Sequence, residues 1–240
     1  MGIFRLKPTV GLGDNPNDSS EGRNSWYGDR YVVPVGGGSN WTLADEGSYF
    51  VAANATLATG IAGHAAPVVA DTDTKALLHL YNSGERNIVP DFLHLEVTAA
   101  GTAGTINYLT AYIDNKGTTA RSSGGTAVTP VNTNSEVNAS AGCELYFGAV
   151  VTAMSSSRKV AQQIVREVIP VVQDTILVVF GSPNGQAHAA LTTAGTATNH
   201  SVLYVPPVVV GPGGNLNLSM IRPSQSAAAS YQFQFGFWER

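Results

Sequence analysis

The sequence predicts an all-β fold: a jelly-roll-like β-sandwich over residues 46–240, preceded by an extended N-terminal arm over residues 1–45. Three observations predict it. Apolar and polar residues alternate with period two through most of the chain after Gly47, as in strands that bury one face. Only 12% of the 240 residues are charged, against roughly a quarter in an ordinary domain, while Thr, Ser and Asn supply 21, 19 and 16. The polarity therefore comes from small neutral side chains suited to strands and turns. Finally, TAAGTAGT (98–105), TTARSSGGTAVTP (118–130) and LTTAGTATNH (191–200) are too long for simple hairpin turns. Loops of that length suggest crossings between two sheets, which favours a jelly roll over an up-and-down barrel.

The elements follow in order. Residues 1–45 carry no periodicity and are rich in turn formers, as in GLGDNPNDSSEGRNS (11–25) and VGGGSN (35–40). Yet they hold Trp26, Tyr27, Tyr31 and Trp41, and disordered tails are poor in aromatics. The expectation is an arm ordered by packing on a partner, with those aromatics as anchors and Arg5, Lys7, Arg23 and Arg30 as polar contacts. LLHLYN (77–82) and DFLHLEVT (91–98) alternate, the second with Leu93, Leu95 and Val97 on one face and Phe92, His94 and Glu96 on the other. SGERN (83–87) between them reads as a five-residue hairpin loop, which would place His79 and His94 in adjacent strands. TINYLTAYIDNKG (105–117) alternates up to a turn at 114–117. Further strands are expected at 144–152, 160–172, 175–181, 202–210, 215–221 and 231–238. VAQQIVREVI (160–169) fits a helix as well, but its Val and Ile density and the following Pro170 favour strand.

The residue types exclude most chemistry. A net charge of -4, with 13 basic and 17 acidic residues spread thinly, offers no basic stripe for nucleic acid. No apolar span approaches the roughly 20 residues of a membrane helix. Residues 1–13 lack the apolar run of a secretory signal. One cysteine, Cys143, rules out an internal disulfide and multi-cysteine metal sites, and no neighbouring base would activate it. The five histidines form no HxH or HxxxH pair. Asp71 and Asp73, two apart, would share a face and a cation if they lay on a strand; a solvated loop is the plainer reading. No nucleophile elbow, phosphate loop or dinucleotide fingerprint occurs. The expectation is a protein without catalytic residues, metal or cofactor.

The C-terminal segment says more. In SYQFQFGFWER (230–240), Tyr231, Phe233, Phe235 and Phe237 share one face, which calls for a deeply buried central strand. Gln232, Gln234 and Trp238 share the other, which suggests that this second face is covered too, by another subunit.

The segments ADEGSYFVAANATLATGIAG (44–63), VPPVVVGPGGNLNLSMI (205–221) and SAAASYQFQFGFWER (226–240) resemble structural proteins of tailed bacteriophages, capsid decoration or cement proteins in particular. The resemblance implies a jelly-roll-like domain, a homotrimer and an N-terminal arm on the virion, with the major capsid protein as partner and no active-site residues. The function expected is non-enzymatic: a cement protein on the capsid surface that stabilises the head by bridging capsomers. Two alternatives stay open, a receptor-binding or fibre-tip module of the tail and a polysaccharide-degrading enzyme on a β scaffold. The last would need two carboxylates about 5 to 10 Å apart in a cleft.

Overall fold

The alternating segments pair into two sheets in a computed structural model, which describes residues 23–24, 30–31, 43–56, 59–64, 70–101, 107–115, 117–152, 156–166, 171–181, 200–223 and 226–240. The strands in chain order are β1 (Arg23–Asn24), β2 (Arg30–Tyr31), β3 (Tyr49–Ala53), β4 (Ile61–Ala62), β5 (Lys75–Asn82), β6 (Ile88–Ala99), β7 (Asn107–Asp114) and β8 (Arg121–Ala127). They continue as β9 (Val131–Asn132), β10 (Cys143–Val151), β11 (Arg158–Arg166), β12 (Thr175–Phe180), β13 (His200–Val205), β14 (Asn215–Ile221) and β15 (Ser230–Glu239). One sheet has the order β11-β7-β14-β5-β10-β8, and the other β13-β12-β6-β15-β3-β9 with β4 added alongside β15. Helix is confined to one turn at residues 43–45 among the described residues. The fold is an all-β sandwich. Its sheets of six and seven strands are larger than those of an eight-stranded jelly roll.

The two sheets pack through the faces that the alternation marks as apolar. Leu78 and Leu80 of β5, Leu145 and Phe147 of β10, and Leu216 and Leu218 of β14 meet Leu93 and Leu95 of β6 and the aromatics of β15 in one buried core. Phe147 stacks on Phe233 across the core, with ring centroids 4.3 Å apart and planes 3° from parallel. Tyr231, Phe233, Phe235 and Phe237 are all buried, and β15 lies between β6 and β3, the central position that four aromatics on one face require. The sheets also join along one side, where Gln163 of β11 donates its amide to the Tyr204 carbonyl of β13.

Several connections differ from the expectation. The SGERN segment is not a hairpin loop: β5 belongs to the six-stranded sheet and β6 to the other, so residues 83–87 carry the chain across the sandwich. Both β5 and β6 are buried on their inward faces, and facing sheets satisfy both where a flat hairpin would leave them side by side. His79 and His94 are therefore not cross-strand neighbours. The 118–130 stretch is no loop either, since β8 pairs with β10 as an edge strand. Gly124 and Gly125, both at positive φ, let it follow β10 closely; a Cβ on Gly125 would come within 3.0 Å of the Ala149 backbone. Of the 191–200 stretch, residues 191–199 lie outside the described residues and His200 opens β13, which lies parallel to β12 in the same sheet. A parallel neighbour needs a long connection, so length alone does not imply a change of sheet. The 98–105 stretch does join β6 to β7 across the sandwich, and VAQQIVR (160–166) is strand.

Of the arm, β1 and β2 pair with each other as a separate two-stranded ladder, Arg23 opposite Tyr31 and Asn24 opposite Arg30. Arg5, Lys7, Trp26, Tyr27 and Trp41 lie outside the described residues. Residues 43–48 are tied to the sandwich: Asn134 donates to the Asp45 carbonyl at 2.9 Å and Asn132 to that of Gly47 at 2.6 Å.

Candidate interaction surface

Each sheet has an outward face, and the side chains placed there differ in kind. On the six-stranded sheet the outward-facing His79, Thr110, Tyr112, Asn215, Asn217 and Ser219 of β5, β7 and β14 are all buried, while Tyr81 beside Asn215 is half-buried. They are buried because two stretches of the same chain lie over them. Asn217 Oδ1 accepts from the His79 Nδ1–H at 2.6 Å, and its amide NH2 donates to the Asp73 carbonyl at 3.1 Å. Asn215 accepts from the Ala120 amide at 2.9 Å and donates to the Thr118 carbonyl at 3.1 Å. Ser219 donates to the Lys75 carbonyl at 2.5 Å. The residues flanking β5 and those leading into β8 are thus held down by side-chain amides and hydroxyls. Burial pushes the His79 imidazole below its ordinary pKa; the bond to Asn217 opposes this and the Arg121 charge adds to it.

This layer absorbs the sequence's candidate cation pair. Asp71 and Asp73 lie on the covering segment and not on a strand, so they do not share a strand face. The Asp71 carboxylate accepts from the Tyr112 hydroxyl and forms an ion pair with Lys159, whose ammonium also sits 5.5 Å from the Tyr112 ring centroid. Burial alone would raise the Asp71 pKa, but the hydrogen bonds from Lys159 and Tyr112 outweigh it and hold the carboxyl below its usual range. Burial, reinforced by the bond to Asp71, pushes the Tyr112 hydroxyl well above its usual range. Among the described residues no three His, Cys, Asp or Glu side chains come together as a metal centre. Cys143 is partly buried, and burial aided by Glu239 and Glu144 pushes its thiol up to about 12, far from the thiolate a nucleophile needs.

The outward face of the seven-stranded sheet carries the opposite character. The ladder registers align its side chains in rows that run across the strands. Tyr204, Val179, Phe92, Gly236 and Val51 form one row across β13, β12, β6, β15 and β3. Val202, Leu177, His94, Gln234 and Ala53 form the next, and His200, Thr175, Glu96 and Gln232 a polar third. Trp238, opposite both Val89 and Tyr49, closes the far end. Phe92, Val51, Leu177, Val179, Val202, Tyr204 and Trp238 are each half-buried, and Gln234 is exposed. The Phe92 ring lies over Gly236, where a Cβ would come within 2.4 Å of it. Glycine is therefore what lets the aromatic lie flat on the sheet. Trp238 stacks on Tyr49 at 6.4 Å, and the Tyr49 hydroxyl donates to Asp91 at 2.7 Å. Burial, then that bond, raises the Tyr49 pKa well above its usual range.

The structure thus brings Trp238, Gln232 and Gln234 onto one face, as the alternation of the last strand expects. Sequence reading missed the other half of that face. TILVVF (175–180) is apolar on both sides of the strand, which marks a strand meant to be covered twice; Leu177 and Val179 are the outward pair. The same holds for Val202 and Tyr204 in HSVLYV (200–205). No protein-family model, curated protein or solved structure matches the chain.

Proposed function

We propose that this chain is a non-enzymatic assembly protein, a homotrimeric decoration or cement component on a phage capsid that stabilises the head by bridging neighbouring capsomers. The observation that carries the reading is the outward face of the seven-stranded sheet. Its two mainly apolar rows, flanked by Gln, His and Glu side chains, suit burial against a second protein surface better than contact with water. Five strands about 4.8 Å apart and four rows about 6.8 Å apart make a patch of about 20 by 20 Å. That is about half of the roughly 800 Å² per partner that stable interfaces bury. A second contact is needed, and residues 1–45 supply the candidate: Trp26, Tyr27, Tyr31 and Trp41 as anchors, with Arg5, Lys7, Arg23 and Arg30 around them. In this reading the sheet face joins copies of the chain, while the arm docks on the major capsid protein. Nucleic acid, membrane and cofactor have no part in it.

Two measurements test it. Native mass determination at micromolar concentration should give a trimer, and Leu177→Asp with Val179→Asp should give a folded monomer. A stable wild-type monomer rejects the oligomer. Deleting residues 1–40 should leave a folded trimer that no longer co-sediments with capsids stripped of it, and unchanged binding would reject the arm as the docking element.

A further inference from the structure

The open face of the seven-stranded sheet carries a histidine where a partner surface would be driest. His94 is half-buried and sits on β6, the middle of the five strands that make up the two mainly apolar rows. Leu177 of β12 lies opposite it on one side and Gln234 of β15 on the other. Phe92, two positions back on β6, stands in the neighbouring row. That row runs one strand beyond β3, because Val51 pairs with Val131 of β9, and Val131 is 62% exposed. The apolar surface therefore continues on past the strands around His94, and His94 lies well inside its border.

Few groups near this ring carry charge. On its own strand Glu96 shares the face, two positions on and about 7 Å away along the strand. The diagonal neighbours are uncharged: Thr175 and Val179 on β12, Gln232 and Gly236 on β15. Farther out, His200 of β13 meets the Thr175 hydroxyl at 2.5 Å in the polar third row, and the Tyr204 phenol ends the Phe92 row. Asp91, on the far side of Phe92, accepts from the Tyr49 hydroxyl at 2.7 Å. His94 itself forms no ion pair among the described residues.

We propose that pH controls association through this face and that His94 is the switch: copies join while its imidazole is neutral and separate once it takes up a proton. The proposal rests on the reading of this face as a contact between copies. Histidine is the side chain whose charge ordinarily changes between about pH 5 and 8. In the free subunit a protonated ring keeps its water and has Glu96 nearby. A second copy closing over the two rows would strip that water, while Glu96 stays in the polar row at the border, and an unpaired charge in a dry contact is costly. A neutral imidazole needs only a hydrogen bond, which the Gln234 amide across the ladder can supply. A contact that admits only the neutral ring loses about tenfold in affinity per copy for each pH unit below the titration of an imidazole. In a trimer the three losses multiply.

The test is sedimentation velocity of the full chain at pH 7.5 and pH 5.5 over a concentration series, with circular dichroism at both to follow folding. Wild type should be oligomeric at pH 7.5 and should need about tenfold more protein, or more, to associate at pH 5.5. His94→Gln, which cannot gain charge, should associate equally at both, and so should His94→Leu, which repeats the test with an apolar side chain. His200→Gln should keep the wild-type response. Wild-type association that is unchanged or stronger at pH 5.5 overturns the switch while leaving the contact between copies standing. A pH response that survives in His94→Gln and His94→Leu overturns it too. Dissociation that comes with loss of the β spectrum also counts against it, because acid is then acting on the core. A wild type that is monomeric at both pH values removes the contact itself, and the switch with it.

Discussion

The two outward faces of this sandwich are built on the same strand geometry and end in opposite states. On the six-stranded sheet the outward side chains are His79, Asn215, Asn217 and Ser219, and the chain folds its own segments over them. On the seven-stranded sheet the outward side chains are Phe92, Leu177, Val179, Val202, Tyr204 and Trp238, all half-buried. A polar outward layer can be covered by a short irregular segment, because side-chain amides and hydroxyls satisfy the backbone groups which that segment brings with it. An apolar layer offers no such partners. Its natural cover is another apolar surface that arrives with its own backbone already paired. The difference teaches that the covered face is closed by the fold itself, whereas the open one is left as the surface on which the proposed association would rest.

The largest expected effect attacks the covered face. Asn217→Ala removes the partner of both the His79 ring and the Asp73 carbonyl in a buried setting and should cost about 3 kcal/mol. Urea unfolding reads it, and a loss under about 1 kcal/mol would mean the polar layer is not holding the covering segment.

Acid sharpens the comparison next. His64 is buried, its Nε2 donates to the Met220 carbonyl of β14 at 3.0 Å and its Nδ1 has no partner; burial takes its pKa down to about 4. The imidazole stays neutral in the fold but gains a proton in the unfolded chain below its ordinary value of about 6.5. Stability is therefore intact above that value and falls as the pH drops toward 4, by about 2 kcal/mol at pH 5. His79 shifts in the same direction. His64→Gln keeps a donor for Met220 and removes the titration, so its unfolding midpoint should change less between pH 7.5 and pH 5 than that of wild type.

On the open face, Gly236→Ala would drive a methyl group into the Phe92 ring and the Tyr49 hydroxyl. Both rings can swing outward, so the cost to folding should be about 1 kcal/mol. The displaced Phe92 should weaken self-association more than folding, which sedimentation across a concentration series measures. The smallest folding effects belong to Val202→Thr and Gln234→Ala, each within about 0.5 kcal/mol. If either unfolds the subunit while leaving association untouched, the assignment of the two faces is reversed.

Much of this was legible in the chain. Alternation in DFLHLEVT, TINYLTAYID and SYQFQFGFW identifies the strands and which side of each enters the core, because a period of two cannot place those residues any other way. The aromatics of the last strand announced its central position for the same reason. Trp238, Gln232 and Gln234 were readable as an outward set, and the unbroken apolar run ILVVF held the missing half of that surface. The polar layer over the six-stranded sheet was not readable. Asn215 and Asn217 meet the Thr118 and Asp73 carbonyls 97 and 144 positions away, and each alone looks like an ordinary polar residue.

Sequence by itself determined the strands, their inward faces and the absence of recognisable catalytic motifs, since these depend on local spacing and residue type. Tertiary structure alone decided which strands became neighbours: that β5 and β6 sit in opposite sheets, that β12 and β13 run parallel, and that 118–130 contains an edge strand. Alternation specifies which side of a strand is apolar but carries no information about the partner strand. That choice depends on how thirteen strands' worth of apolar faces close into one core, a property of the whole chain.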